Sequence, residues 1–108
     1  MTAPDTGSAL PADLALVRAV TASHVLARRL RDEAIVLNMR TEQYAGFDSV
    51  GAVFWEAVTE APSLADAAFT LGAAFPDVAP DRIQADLVSF VEGVRGRGLV
   101  DIVASPIG

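Results

Sequence analysis

The sequence predicts an α+β domain in which strands precede helices. Three observations carry this. Between His24 and Phe47 the chain reads HVLARRL, AIVLNM and QYAGF, short runs with β-branched and aromatic members split by RDE and RTE. From Asp48 onward apolar residues recur at helical spacing instead. The 108 residues suffice for one core and are too few for two. Segregated strands and helices imply α+β architecture rather than parallel βαβ units. A three-stranded antiparallel sheet followed by a three-helix bundle suggests a winged helix-turn-helix arrangement.

Residues 1–12 (MTAPDTGSALPA) are small, polar and broken by Pro4, Gly7 and Pro11. They predict a mobile arm over about 1–15, with the domain occupying 16–104. Residues 13–23, with Leu14, Leu16, Val17 and Val20, suit either a short extended piece or one helical turn. A two-residue turn at Thr41–Glu42 would place Met39 opposite Tyr44 and Leu37 opposite Gly46. Ile35, Leu37, Met39 and Tyr44 then share one sheet face. Val36, Asn38, Arg40, Gln43, Ala45 and Phe47 share the other. Thr-Glu is a poor pair for so tight a turn, because neither residue favours positive φ. A longer loop would shift the register and exchange the faces.

Asp48 or Ser49 can cap a first helix to about Glu60, with Val50, Val53, Phe54, Ala57 and Val58 inward. Ala61-Pro62 ends it. Ser63-x-x-Asp66 resembles a capping box and opens a second helix with Leu64, Ala67, Ala68, Leu71 and Phe75 as its stripe. Pro76 stops that helix. Pro80 suits the first position of a third, which runs through Ile83, Leu87, Phe90, Val91 and Val94 to a cap at Gly96 or Gly98. LVDIVA (99–104) reads as an extended tail.

Composition removes most chemistries. Apolar residues are 52% of the chain, which excludes disorder over most of its length. Cysteine is absent, and with it disulfides, thiolate metal sites and a cysteine nucleophile. Lysine is absent too, so Schiff-base chemistry and the P-loop lysine are excluded. His24 is the single histidine and reads as an exposed residue at a strand edge, with Ser23 beside it pointing the other way, so no triad is expected. Asp32-Glu33 reads as a turn pair, and Asp81 and Asp86 fall on different helix faces, so no carboxylate cage forms. Gly46 and Gly51 lack the spacing of a dinucleotide fingerprint. The reading is therefore of a non-catalytic protein with no cofactor and no metal.

The net charge is −6, and residues 49–108 carry −5 of it, with three arginines against eight acids. A duplex-binding surface needs a basic face to displace counterions, so a winged-helix DNA-binding protein is the weaker alternative and no nucleic acid is expected. No apolar run reaches the ~20 residues of a membrane span. No basic-then-apolar signal segment opens the chain, so a cytoplasmic location is expected.

The third helix carries the most information. At ~100° per residue, Val94, Phe90 and Leu87 fall within about 40° of Ile83, Val91 at about 80° and Val88 at about 140°. The apolar arc spans about 160°, wider than the ~100° stripe of a helix with one buried face. This shoulder, with Gln84 beside it, either packs on the domain's own sheet or tail or forms one wall of a groove.

LRDEAIVLNMRTEQYAGFDSVGAVFWEAV resembles the hairpin and first helix of the PqqD-like family. IQADLVSFVEGVRGRGLV resembles its last helix. The likeness covers about residues 24–100 and departs from the family pattern at Phe47-Asp48, where Leu-Asn is usual, and at Glu42, where glycine is frequent. The resemblance implies a recognition element that binds the leader segment of a ribosomally made, post-translationally modified peptide. The leader adds as an antiparallel strand to the third strand of the predicted sheet and packs on the third helix. A free-standing chain of this length resembles the subunit of lasso peptide pathways that presents a precursor, commonly with a Tyr-x-x-Pro leader, to a separate leader peptidase, with the cyclase as a further candidate partner. Related members act as peptide chaperones in radical-enzyme maturation of PQQ type. Carried over by position, Gln43, Tyr44, Ala45, Gly46 and Phe47 pair with the leader. Gln84, Leu87, Val88 and Val91 line the groove. Asp86 matches the family's acidic helix position and either takes a leader hydrogen bond or cation or is a solvated helix residue. Tyr44 equally suits packing against Met39.

Overall fold

The computed structural model describes residues 10–106. The expectation of a mobile arm falls partly outside these. From Leu10 the chain already packs on the core, and Leu14 is buried in it. A short 3-10 turn, Leu14–Leu16, is capped by Asp13, whose carboxylate accepts the Ala15 N–H.

Among the described residues five strands and three helices follow in the order β1 (Val17–Thr21), β2 (Val25–Leu30), β3 (Glu33–Asn38), β4 (Gln43–Phe47), α1 (Ser49–Glu60), α2 (Leu64–Ala74), α3 (Pro80–Gly96) and β5 (Val100–Ala104). The fold is α+β, with β2-β3-β4 as a three-stranded antiparallel sheet. The expected sheet-then-bundle order is incomplete. The tail is a strand, β5, that returns to pair with β1 as a second, two-stranded antiparallel sheet, Val17 opposite Ala104 and Thr21 opposite Val100. Segments at opposite ends of the chain thus close the domain.

The helix limits follow local chemistry. Asp48 caps α1 by accepting the Gly51 N–H at 2.9 Å. Ser63 caps α2 through the Asp66 N–H, and its hydroxyl donates to the Asp66 carboxylate. Pro80 begins α3. Gly98, at φ +74°, makes the reversal after α3 that a side chain would strain. Ala52, Phe54, Trp55, Ala57 and Val58 of α1 are buried, Val53 is half-buried, and Val50 is exposed against expectation. Leu64, Ala67 and Leu71 of α2 meet Ile83, Leu87, Val91 and Val94 of α3 in the same core.

The β3–β4 connection is longer than predicted. Residues 39–42 form the loop, Asn38 pairs with Gln43 and Leu37 with Tyr44, and Glu42 takes the positive φ of 62°. The register differs from the tight-turn reading by two residues, an even number, so the faces are unchanged. Ala34, Val36, Asn38 and Ala45 are buried, with Phe47 half-buried on their side, while Ile35 and Tyr44 face outward. Gly46 makes no bulge, since the β3–β4 pairing is continuous through it.

Candidate functional site

In the three-stranded sheet β4 lies at one edge, and among the described residues no strand pairs with its outer side. Two hydrogen bonds establish which of its backbone groups point out. The Met39 N–H donates to the His24 carbonyl, towards β2, so Asn38 must turn its own groups to β4. Gln43, Ala45 and Phe47 therefore face β3. Tyr44 and Gly46 turn N–H and C=O outward. In agreement, the Tyr44 carbonyl accepts Arg97 Nη2, at 3.4 Å, from the end of α3.

Beside this edge runs a cleft of about 360 Å³ lined by Asn38, Thr41, Gln43, Tyr44, Ala45, Gly96, Arg97 and Leu99. The flank of α3 nearest β4 is identified by two contacts. The Phe90 ring lies 5.5 Å from that of Phe47, and Arg97 reaches Tyr44. Asp86, Phe90, Gly93 and Arg97 fall at i, i+4, i+7 and i+11, one helix face. A Cβ added to Gly96, which lines the cleft, would meet nothing among the described residues within 4 Å, and the same holds at Gly46 of the edge strand and Gly93 of the α3 flank. Glycine inside a helix costs about 0.5–1 kcal/mol relative to alanine, and Gly93 leaves this flank of α3 without a side chain.

The inner end of the slot is aromatic. Phe47 stacks on Trp55 of α1 at 5.8 Å and meets Phe90, which in turn meets Phe54 at 5.6 Å. Trp55 is thus buried scaffold under β4. Asp86 is half-buried and pairs with Arg82 at 3.2 Å, an i,i+4 pair on the helix surface. At the foot of α3, Asn38 Nδ2 donates to the Arg97 carbonyl at 3.3 Å, and its Oδ1 accepts the Arg40 and Thr41 N–H groups. Asn38 thereby ties the hairpin loop to α3. His24, half-buried rather than exposed as expected, donates from Nε2 to the Gly98 carbonyl at 3.0 Å. Its role here is to hold the end of α3 to the start of β2.

The structure brings together only part of the predicted set. Gln43, Tyr44, Ala45, Gly46 and Phe47 form the edge strand, and Asp86 lies on the flank turned to it. Leu87 and Val91 are wholly buried and show no surface to a ligand. Gln84 and Val88 lie on the opposite flank. Gln84 lines a cavity with Phe69 and Gly72 of α2, and Val88 lies on an open face with Asp81 and Glu92. The wide apolar arc of α3 reflects packing on two sides, and its shoulder is the side away from β4. Phe90, read only as part of the helix's apolar face, and Gly93 and Arg97 were not among the predicted site residues. Their spacing from Asp86, with a glycine inside a helix, was the available signal.

This is the class of fold in which a small antiparallel sheet with one open edge lies against the last helix of a three-helix unit. The sequence profile of the family described as coenzyme PQQ synthesis protein D (PqqD) matches residues 33–100, and the chain belongs to that family. Among solved structures, TbiB1 in complex with the TbiA(beta) leader peptide has the same fold, with a TM-score of 0.69 and 23% sequence identity over 76% of this chain and 94% of that one. A comparison with the curated proteins finds no match. No helix among the described residues is long and apolar enough to cross a membrane.

Proposed function

We propose that this protein binds, without catalysis, the leader segment of a ribosomally made precursor peptide. In this reading the leader adds as an antiparallel strand to β4, packs on the Asp86–Phe90–Gly93–Arg97 flank of α3, and is presented to a separate leader peptidase of lasso peptide maturation. The arrangement then works as a winged helix-turn-helix whose wing takes peptide instead of DNA. The observation that carries the reading is that, among the described residues, the outer edge of β4 is unpaired and a cleft runs beside it along the end of α3. A solved relative in fold that is a complex with a leader peptide supports it.

The magnitudes fit. Tyr44 and Gly46 offer two donors and two acceptors outward. Four backbone bonds at about 0.5–1.5 kcal/mol each supply about 2–6 kcal/mol. Micromolar affinity needs about 8 kcal/mol beyond the ordering cost of a flexible peptide. One or two apolar leader side chains, buried at about 1.5–3 kcal/mol each, close the difference. Phe47 and Phe90 are the surface on which they would rest. Strand addition with few pockets suits a leader with few fixed residues.

The test is titration of the purified chain with the leader of a precursor encoded beside it. Saturable binding at micromolar concentration or tighter, with β4 amides protected from exchange, is expected. Absence of binding, or protection confined to β2, overturns the reading. The family's description as a PQQ synthesis protein favours the radical-enzyme pathway as second choice. Titrating a leader from each pathway discriminates them.

A further inference from the structure

We infer that the foot of α3 is a carboxylate-binding subsite, so that an acidic residue just C-terminal to the strand-adding segment helps select the peptide. This rests on the strand-addition reading. A cleft of about 630 Å³ there is lined by Arg40 of the β3–β4 loop, Arg95 and Arg97 of α3, and His24, Asn38 and Thr41, with Asp101 as its one acid. Three of the chain's eight arginines thus converge on one concavity of a protein with net charge −6.

These arginines are not used internally as ion-pair partners. The ion pairs among the described residues are Arg29–Glu56 and Arg82–Asp86. Among the described residues Arg95 Nη1 is buried with no hydrogen-bond partner, a costly condition for a charged donor that is relieved only when the guanidinium turns outward, into the cleft its side chain lines. The ordinary explanation would be that they neutralise the negative end of α3. Most carbonyls at that end are already taken: Gly93 O, Val94 O and Arg95 O by the N–H groups of Arg97, Leu99 and Gly98, and just beyond the helix Arg97 O by Asn38 Nδ2 and Gly98 O by His24 Nε2. Among the described residues no carboxylate pairs with these three guanidinium groups, and Arg97 donates to the Tyr44 carbonyl at 3.4 Å.

Position names the occupant. The cleft beside β4 and this basic cleft share Asn38, Thr41, Gly96 and Arg97, so they are continuous. A strand antiparallel to β4 enters at Phe47, leaves at Gln43, and passes straight into the arginines. Arg97 then exchanges its 3.4 Å contact with the Tyr44 carbonyl for a peptide carboxylate, and an incoming backbone N–H takes the carbonyl. A planar guanidinium suits a carboxylate through paired N–H donors. Duplex phosphates need a broad basic face, which a narrow cleft in an acidic surface does not provide.

The experiment selects binders from a displayed library of random 20-residue peptides on the intact chain. Affinity is then measured by fluorescence anisotropy for an enriched peptide and for its Asp/Glu→Asn/Gln form, against the natural chain, Arg40→Gln and Arg95→Gln. The expected peptides carry Asp or Glu within about four residues after an extended apolar segment. Neutralising that acid lowers affinity about five- to tenfold on the natural chain and about twofold or less on either variant. Arg40 lies on an exposed loop, so its variant stays informative if Arg95→Gln disturbs folding. Enriched peptides without acids, or equal affinity after neutralisation, overturn the carboxylate subsite and leave strand addition standing. Failure to enrich any peptide that competes for β4 overturns strand addition itself. Tighter binding of a duplex oligonucleotide than of the acidic peptide overturns both.

Discussion

Replacing Gly46 by proline isolates the edge on which the proposed binding depends. Gly46 points its N–H away from β3, its φ is not positive, and a Cβ there meets nothing within 4 Å. Proline should therefore be accommodated without loss of a β3–β4 bond. The change removes one donor to the incoming strand, about 0.5–1.5 kcal/mol. The ring also stands where that N–H was directed, so the adjoining backbone bond lengthens as well. The sum, about 1–3 kcal/mol, corresponds to a roughly 5- to 150-fold weaker Kd. Calorimetric titration with the leader, paired with thermal unfolding, reads both quantities. Folding stability should stay within about 1 kcal/mol of the natural chain. Ala45→Pro is the matched contrast, because that amide faces β3 and the residue is buried. It should lose about 3 kcal/mol or more of stability. Unchanged leader affinity in a folded Gly46→Pro protein would refute strand addition at β4.

Gly93→Leu should fill the slot while improving the helix, lowering leader affinity about tenfold or more and raising stability by up to about 1 kcal/mol; affinity and Tm moving in the same direction would contradict the slot. Val88→Asp lies on the flank away from β4 and should leave leader affinity within about twofold, with any cost confined to stability; a large loss of binding would return the groove to the α2 side of α3. Asp48→Ala removes the α1 cap and should cost about 1 kcal/mol, a fall in Tm of roughly 5 °C, measured by circular dichroism.

How much was legible divides by the range of the physics. The helix limits were readable because caps and stops act over three or four residues: Asp48 on Gly51, Ser63 on Asp66, proline at the start of α3, glycine after its end. The face assignment along β3 and β4 depended on the loop, which local sequence left open; the loop is longer than two residues, and the faces stand as drawn only because the register shift is even. Three matters belonged to the tertiary structure. One is the pairing of Val17–Thr21 with Val100–Ala104, which depends on two distant segments meeting and leaves no local pattern. Another is the role of His24, whose carbonyl partner lies 74 residues away. The last is which side of α3 looks at β4. Hydrophobic periodicity reports that a helix surface is covered, not what covers it, and α3 is covered on two sides. Only the packing of Phe90 on Phe47 and the reach of Arg97 to Tyr44 resolved that choice.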